Sequence, residues 1–425
     1  MAKFVVVVLD GFGVGEMPDV TDTRPQDCGA NTAVKLLDHF PLKRLPTLEQ
    51  LGLINITGLT RSVMQPSPCA NWGTAKLAHY GCDTFMGHQE IMGTLPKPPM
   101  IKPFQESIDS IEHALKQEGY PTERITRGPL QLLMVKGCVV IGDNLEADLG
   151  QVYNLTANFN QISFDEVKQI AMVVRGANAV SRNIAFGGFI PSMDRVFSAI
   201  ETKTDQQGKL AYIGVNAPDS GAYDEGFQVV HMGFGVDAHT QTPHQLAKVG
   251  VPTYLYGKVA DIVLNESGTS YTSVVDTDQI FSLLLHDLDQ RQGFFCANIQ
   301  ETDLSGHLQD PKRYWQVLEK ADRGLAATID TLNPGDVLIV MADHGNDPFI
   351  GHTKHTREQV PLMLFSPGVA GIPIGYRDTL ADIGTSAAAF FGASPPESGR
   401  PLQVLRKLEQ ERHSFQLNAK NKLIQ

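Results

Sequence analysis

The sequence predicts an α/β protein, a sandwich core interrupted by a second, smaller inserted domain, and three features carry that reading. Six short apolar runs end abruptly in polar residues or glycine, at 4–10 (FVVVVLD), 138–144 (CVVIGDN), 253–259 (TYLYGKV), 294–303 (FFCANIQETD), 337–345 (VLIVMADHG) and 362–368 (LMLFSPG). Continuous apolar runs without alternation mark strands covered on both faces, as in a parallel sheet. Helix-length stretches lie between several of them, which is the rhythm of a sheet sandwiched by helices. Finally, the texture changes over 97–240, and a chain of 425 residues exceeds what one core usually fills.

Taken in order, the run at 4–10 ends in Asp10 and is too short for a membrane span or a secretion signal. The segment LPKPP at 95–99 breaks the chain. Mixed polar text follows, including FGGFIPSMDRVF (186–197) and ETKTDQQGK (201–209). The inserted domain is therefore assigned to 97–240 and the core to 1–96 with 241–425. Helices are expected at 277–292 and at 310–332, the second with Asp310 as N-cap and Pro311 in its first turn. The tail at 411–425 reads as a loosely held extension.

Apolar residues at 42% and charged residues at 19% describe an ordinary soluble globular protein. A formal charge of -12 argues against nucleic acid as a partner, since that binding needs a basic surface. Nothing points to a membrane. Five cysteines (Cys28, Cys69, Cys82, Cys138 and Cys296) are scattered without a C-x-x-C pair, which suits free thiols in a reducing, cytoplasmic setting.

In open α/β sheets, ligands bind beyond the carboxyl ends of the strands. Three runs here deliver acids to such an edge: Asp10, Asp303 and Asp343. His307 follows Asp303 in DLSGH, His344 adjoins Asp343, and His352 and His355 lie a turn-rich loop later. One aspartate at a strand end is ordinarily a helix cap; three of them with histidines form a ligand set. Mixed carboxylate and imidazole ligands suit Mn²⁺ or Zn²⁺ better than Ca²⁺. Two ions about 3.5–4 Å apart can clamp the attacking and leaving oxygens of phosphoryl transfer. A nucleophile is available in CDTFMGHQEIMG (82–93), where Thr84 follows Asp83 and precedes Gly87 and His88. A threonine hydroxyl is a poor nucleophile until a metal or base takes its proton. The residues alone leave open which of His352 and His355 is a ligand.

The segments VVLDGFGVGEMPDV (7–20), CGANT (28–32), CDTFMGHQEI (82–91), ADHGNDP (342–348) and HTREQVPLMLFSPG (355–368) resemble those of phosphopentomutases, in the same order. The resemblance covers roughly the first hundred residues and the last hundred and seventy. It implies an alkaline-phosphatase-like core with an inserted α/β cap and two divalent metal ions, Mn²⁺ first, with Zn²⁺ and Mg²⁺ as alternatives. It also implies a phosphothreonine, a sugar bisphosphate activator, and ribose 1-phosphate and ribose 5-phosphate as substrates. By this resemblance Thr84 is the phosphorylated residue. Asp10, Asp343 and His344 correspond to one metal's ligands, and Asp303, His307 and His355 to the other's. KHTRE matches the family's DHTRE, which selects His355 and leaves His352 as a loop histidine. Asp148, in EADLG, matches an acid of the cap.

The chain departs from the family pattern at three points. Lys354 stands where an acid precedes the metal-binding histidine, and DLSGH is one residue short between Asp303 and His307. Phe186, in RNIAFGGF, replaces an arginine of the sugar-phosphate grip, a role phenylalanine cannot fill. Arg182 and Arg195 are the candidates to compensate. A phosphomutase is the leading expectation, with a metal-dependent phosphatase or other phosphoester hydrolase, or a non-catalytic phosphometabolite-binding relative, as alternatives. A phosphoglycerate mutase also shares LDGFG, but that group uses serine as nucleophile.

Overall fold

The computed structural model describes residues 2–60, 63–146, 149–205 and 207–405. Asp148 and the 411–425 tail lie outside the described residues. The chain divides into two compact units, Met1–Pro96 with Asp237–Gln425, and Lys97–Val236.

The first unit is built on an eight-stranded sheet. Its order is Gly268–Tyr271, Thr253–Tyr256, Gly293–Ile299, Lys3–Leu9, Val337–Met341, Val360–Phe365, Asn71–Ala75 and Gly375–Arg377. Lys3–Leu9 is buried at every position and runs parallel to both neighbours. Val8 pairs with Asn298 on one side and Met341 on the other, so the three central strands end level with one another. That register brings Asp10 and the 342–344 turn to one edge of the sheet. Five strands run parallel through this half, but Val360–Phe365 is antiparallel to both its neighbours. A wholly parallel core is thus corrected to a mixed one. Antiparallel neighbours need only a loop between them, and the chain from 342 to 359 returns along the same edge without a crossover helix.

Two apolar runs end sooner than their sequence suggests. The strand from Gly293 stops at Ile299, and Gln300–His307 is a helix, so Asp303 lies in a helical first turn and not at a strand end. The polar stretch QETDLSGH has no further apolar side chain to bury except Leu304. Thr302 Oγ1 donates to the carbonyls of Ile299 and Asp10 and ties the helix start to two strand ends. Likewise Thr253–Tyr256 ends at Gly257, whose φ of 74° turns the chain into the helix Lys258–Ile262. The flanking helices follow the expected signals. Asp276 caps Thr277–Gln290, and Asp310 caps Pro311–Asp330 by accepting from Arg313 N at 2.9 Å.

The second unit carries a six-stranded sheet, ordered Gln228–Gly233, Arg182–Gly188, Val152–Asn158, Val139–Asp143, Leu130–Val135 and Thr122–Arg127. Only the pair Val152–Asn158 and Arg182–Gly188 is parallel. The run at 138–144 therefore belongs to a mainly antiparallel sheet, whose inner strands Val139–Asp143 and Val152–Asn158 are buried at every position. The helices Ile108–Gln117 and Phe164–Gly176 pack on Leu133, Val139 and Leu155. Phe186, Ile190, Val196 and Ile213 form a separate cluster with Leu132 and Val140. Among the described residues, no helix is long and apolar enough to cross a membrane.

Candidate metal centre

The carboxyl ends of the central strands gather a cluster of buried carboxylates and imidazoles. Asp10 follows Leu9 directly and is fully buried. Asn298, on the neighbouring strand, donates to its Oδ2 at 2.8 Å. Asp343 and His344, equally buried, begin the loop after Val337–Met341. Gly11 N donates to Asp343 Oδ1 at 3.2 Å. Gly11 needs to be glycine on two counts: its φ is +73°, and a Cβ there would lie 2.9 Å from Asn346 Cβ and 3.2 Å from Asp303 Oδ1.

Asp303 and His307 share one helix face at i and i+4, which sets His307 Nε2 3.3 Å from Asp303 Oδ2. The loop 345–356 then brings His355 over the same carboxylate, with Nε2 3.3 Å from Asp303 Oδ1 and 3.0 Å from His307 Nε2. The outer nitrogens are held by backbone carbonyls, Thr353 O for His307 at 2.6 Å and Cys82 O for His355 at 3.0 Å. Such anchoring fixes ring orientation and leaves Nε2 of each ring facing inward. Asn346 Nδ2 donates to Asp303 Oδ1 at 2.8 Å. His352 takes no part in the cluster. Its Nε2 meets Asp27 Oδ1 at 3.1 Å. Lys354 is exposed beside it.

Thr84 is the first residue of the helix Thr84–Ile91, capped by the Asp83 side chain. Its Oγ1 donates to Asp343 Oδ2 at 2.7 Å. Gly87 permits this approach, because a Cβ there would lie 2.8 Å from Asp343 O. One turn after Thr84, His88 is fully buried, its Nε2 3.9 Å from Asp343 Oδ2 and neither ring nitrogen hydrogen-bonded.

The cluster has a cation that sequence reading did not single out. Lys258 Nζ lies 3.1 Å from Asp10 Oδ2 and 3.4 Å from Asp303 Oδ2. Burial opposes its charge, but Asp10 and Asp303 more than offset that and raise its pKa. Burial also works against the Asp10 carboxylate, and Lys258 with His344 nonetheless holds its pKa below the usual range. For Asp303 the same opposition is overcome by His355, Lys258 and His307. His344 is pushed up to about 10, because Asp343, Asp10 and Asp303 outweigh the cost of burying its charge. His355 and His88 move down, chiefly by burial. A lone lysine directly after a glycine gives no periodic or spacing signal, so only the fold reveals it.

Two facts fit this set to divalent cations. Asp10 Oδ1 and His344 Nε2 face each other at 3.3 Å, both buried and neither hydrogen-bonded. The two attract each other only while the ring is protonated, and a divalent cation would instead take the carboxylate oxygen and the neutral ring nitrogen together. Moreover, donor atoms of Asp303, His344 and His355 lie within 4.8 Å of one another, as do those of Asp10, His88 and Asp343. His344 Nε2 lies 3.3 Å from Asp10 Oδ1 and 3.4 Å from Asp343 Oδ2, beside both acids with which the resemblance grouped it, while its ring stacks on His355 at 4.0 Å.

Of the residues expected to bind substrate, Arg182 and Arg195 belong to the second unit. Phe186 is 2% exposed, inside the second unit's core and stacked on Tyr223. Arg195 pairs with Asp224 and donates to Asp219 O. Arg182 is half-buried at the start of its strand.

The Metalloenzyme superfamily profile matches residues 2–395. A phosphopentomutase of Anaeromyxobacter sp. (strain K) is 28% identical over 394 residues, 92% of this chain and 95% of that protein. A phosphopentomutase of Caldanaerobacter subterraneus subsp. tengcongensis is 27% identical over 426 residues, covering 96% and 98%. Among solved structures, Leishmania mexicana phosphoglycerate mutase aligns over 94% of this chain and 97% of its own at 14% identity, with a TM-score of 0.46.

Proposed function

Because the chain belongs to the Metalloenzyme superfamily, we propose that it is a metal-dependent phosphomutase acting on a small phosphorylated sugar. Ribose 1-phosphate and ribose 5-phosphate are the default pair, and the near full-length similarity to phosphopentomutases supports that choice. The observation that carries the reading is Thr84 Oγ1, 2.7 Å from Asp343 Oδ2 at the rim of a buried carboxylate–imidazole cluster. A non-catalytic binder has no use for a hydroxyl held in that position.

Asp10, Asp343 and His344 are assigned to one divalent ion, and Asp303, His307 and His355 to the other, with Mn²⁺ as the native metal. Bound there, the ions supply Lewis-acid stabilisation of the transferring phosphoryl oxygens and acidify the threonine hydroxyl. The resting enzyme carries phosphate on Thr84. A sugar hydroxyl gives up its proton as its oxygen bonds to phosphorus, and the Thr84 Oγ1–P bond breaks. The sugar bisphosphate so formed turns over and returns its other phosphoryl group to Thr84, whose proton passes to the freed sugar oxygen. Asp343 orients Thr84 Oγ1 as the acceptor of its hydrogen bond and is placed to hold that proton. Lys258 offers a fixed positive charge to the phosphoryl oxygens. The inserted unit is assigned the role of a cap domain, which keeps water from the phosphoenzyme.

The test is phosphorus NMR with ribose 1-phosphate, Mn²⁺ and a sugar bisphosphate activator. Conversion to ribose 5-phosphate without inorganic phosphate is the expected result. Stoichiometric release of inorganic phosphate identifies a phosphatase on the same centre and overturns the mutase reading.

A further inference from the structure

We propose that His239, His244 and Glu266 form a further metal site, separate from the six-ligand cluster, that takes a zinc-class cation. All three residues lie in the first unit, soon after the chain re-enters it at Asp237. Their donor atoms fall within 4.8 Å of one another. His244 Nδ1 is 3.4 Å from Glu266 Oε2, and the two imidazole rings meet edge-on at 4.9 Å. Tetrahedral zinc with bonds of about 2.0–2.1 Å holds its ligand atoms about 3.3 Å apart. The His244–Glu266 edge of that tetrahedron is already present, and the donor atom of His239 lies within 4.8 Å of both.

The competing explanation is chance proximity of three surface side chains, with His244 and Glu266 forming a weak ion pair. The surrounding backbone argues for a built site. His239 sits in the turn Ala238–Thr240, where Asp237 accepts from its N–H at 3.0 Å and Gln245 Nε2 donates to its carbonyl at 3.0 Å. Gln245 also stands next to His244 on the helix Thr242–Lys248, so one side chain locks both histidine-bearing segments together. Glu266 follows Asn265, whose Nδ2 donates to Thr253 O at 3.0 Å and pins the loop to the sheet. The linked histidine segments and the separately pinned Glu266 loop thus present two imidazoles and one carboxylate to a common point, which leaves a fourth position for water. With its ligands on the surface, the site would clamp the chain segments that carry them, and its fourth position would stay open to water.

The experiment uses the untagged full chain, stripped with chelator, dialysed against low free zinc and analysed for bound metal. Wild type is expected to retain one more zinc per chain than the His239→Ala/His244→Ala double variant. Cobalt substitution should give a tetrahedral visible band that the variant lacks. Glu266→Gln, at a side chain more than half exposed, should lose the same equivalent without disturbing the fold. Equal metal content in wild type and both variants, each with native circular dichroism, overturns the proposal. Thr84→Ala should leave the extra equivalent in place, so failure of the phosphomutase reading and failure of this one are distinguishable.

Discussion

At the scale of single residues, the proposed chemistry turns on a hydroxyl, an imidazole and an ammonium. Thr84→Ala should abolish labelling by a bisphosphate and bring isomerisation to background, whereas Thr84→Ser keeps an oxygen at the same place and should retain part of both. Persistent label in the alanine variant would place the phosphoryl group elsewhere. His344 makes the metal-free chain pH-sensitive. Its pKa is raised from 6.5 to about 10, so its contribution to metal-free stability is complete below pH 6.5 and lost as pH rises through about 10. The same proton must leave before the ring can bind a metal, so affinity should fall about tenfold per pH unit on acidification below that value. Calorimetry in two buffers of different ionisation enthalpy will count the proton released, and buffer-independent heats would contradict the prediction. Lys258→Met removes a competitor of cations for Asp10 and Asp303. Divalent affinity should rise several-fold while kcat/KM falls about a hundredfold or more.

At the scale of elements, the sequence showed the acids but not always the element that carries them. Asp10 and Asp343 were legible because KFVVVVL and VLIVM are buried strands that end at polar residues. Asp303 was noticed for the wrong reason. Its run looked like strand up to the acid, yet its distance from His307 is the i, i+4 spacing of the helix it occupies. The antiparallel half of the core sheet was not legible, since VPLMLF is buried almost throughout and such runs read alike in either direction. Lys258 needed the turn at Gly257, which no periodicity announces. In the second unit, Asp143 ends its strand by accepting from Phe104 N at 2.8 Å and Ile213 N at 2.9 Å. Burial outweighs those two donors and raises its carboxyl to about 7. The folded pKa lies above the ordinary 3.8, so this acid's contribution is complete below that value and lost as pH rises through about 7. Scanning calorimetry from about pH 5 to about pH 8 should show the second unit losing stability. In Asp143→Asn the slope should vanish, at lower overall stability because an amide N–H then faces a backbone N–H.

At the scale of the whole molecule, metal removal should act on one unit and spare the other. Asp10, Asp303 and Asp343 lie close together in the first unit, and ions bound there stabilise it by about 2.7 kcal/mol each at a hundredfold excess over Kd. Chelation should therefore lower the melting temperature of that unit by several degrees and leave the second transition unmoved. A uniform shift of both would argue that the units unfold together. The central strand Lys3–Leu9 carries one more consequence, which concerns time. Its partner Gly293–Ile299 is synthesised about 290 residues later, and Val337–Met341 later still. At about 5–20 residues per second, an apolar strand waits about 15–60 s on the ribosome before either neighbour exists. Neither Asp303 nor Asp343 is available in that interval, so metal loading belongs to the finished chain. Until then KFVVVVL is the segment on which the nascent protein is most open to aggregation and to chaperone capture.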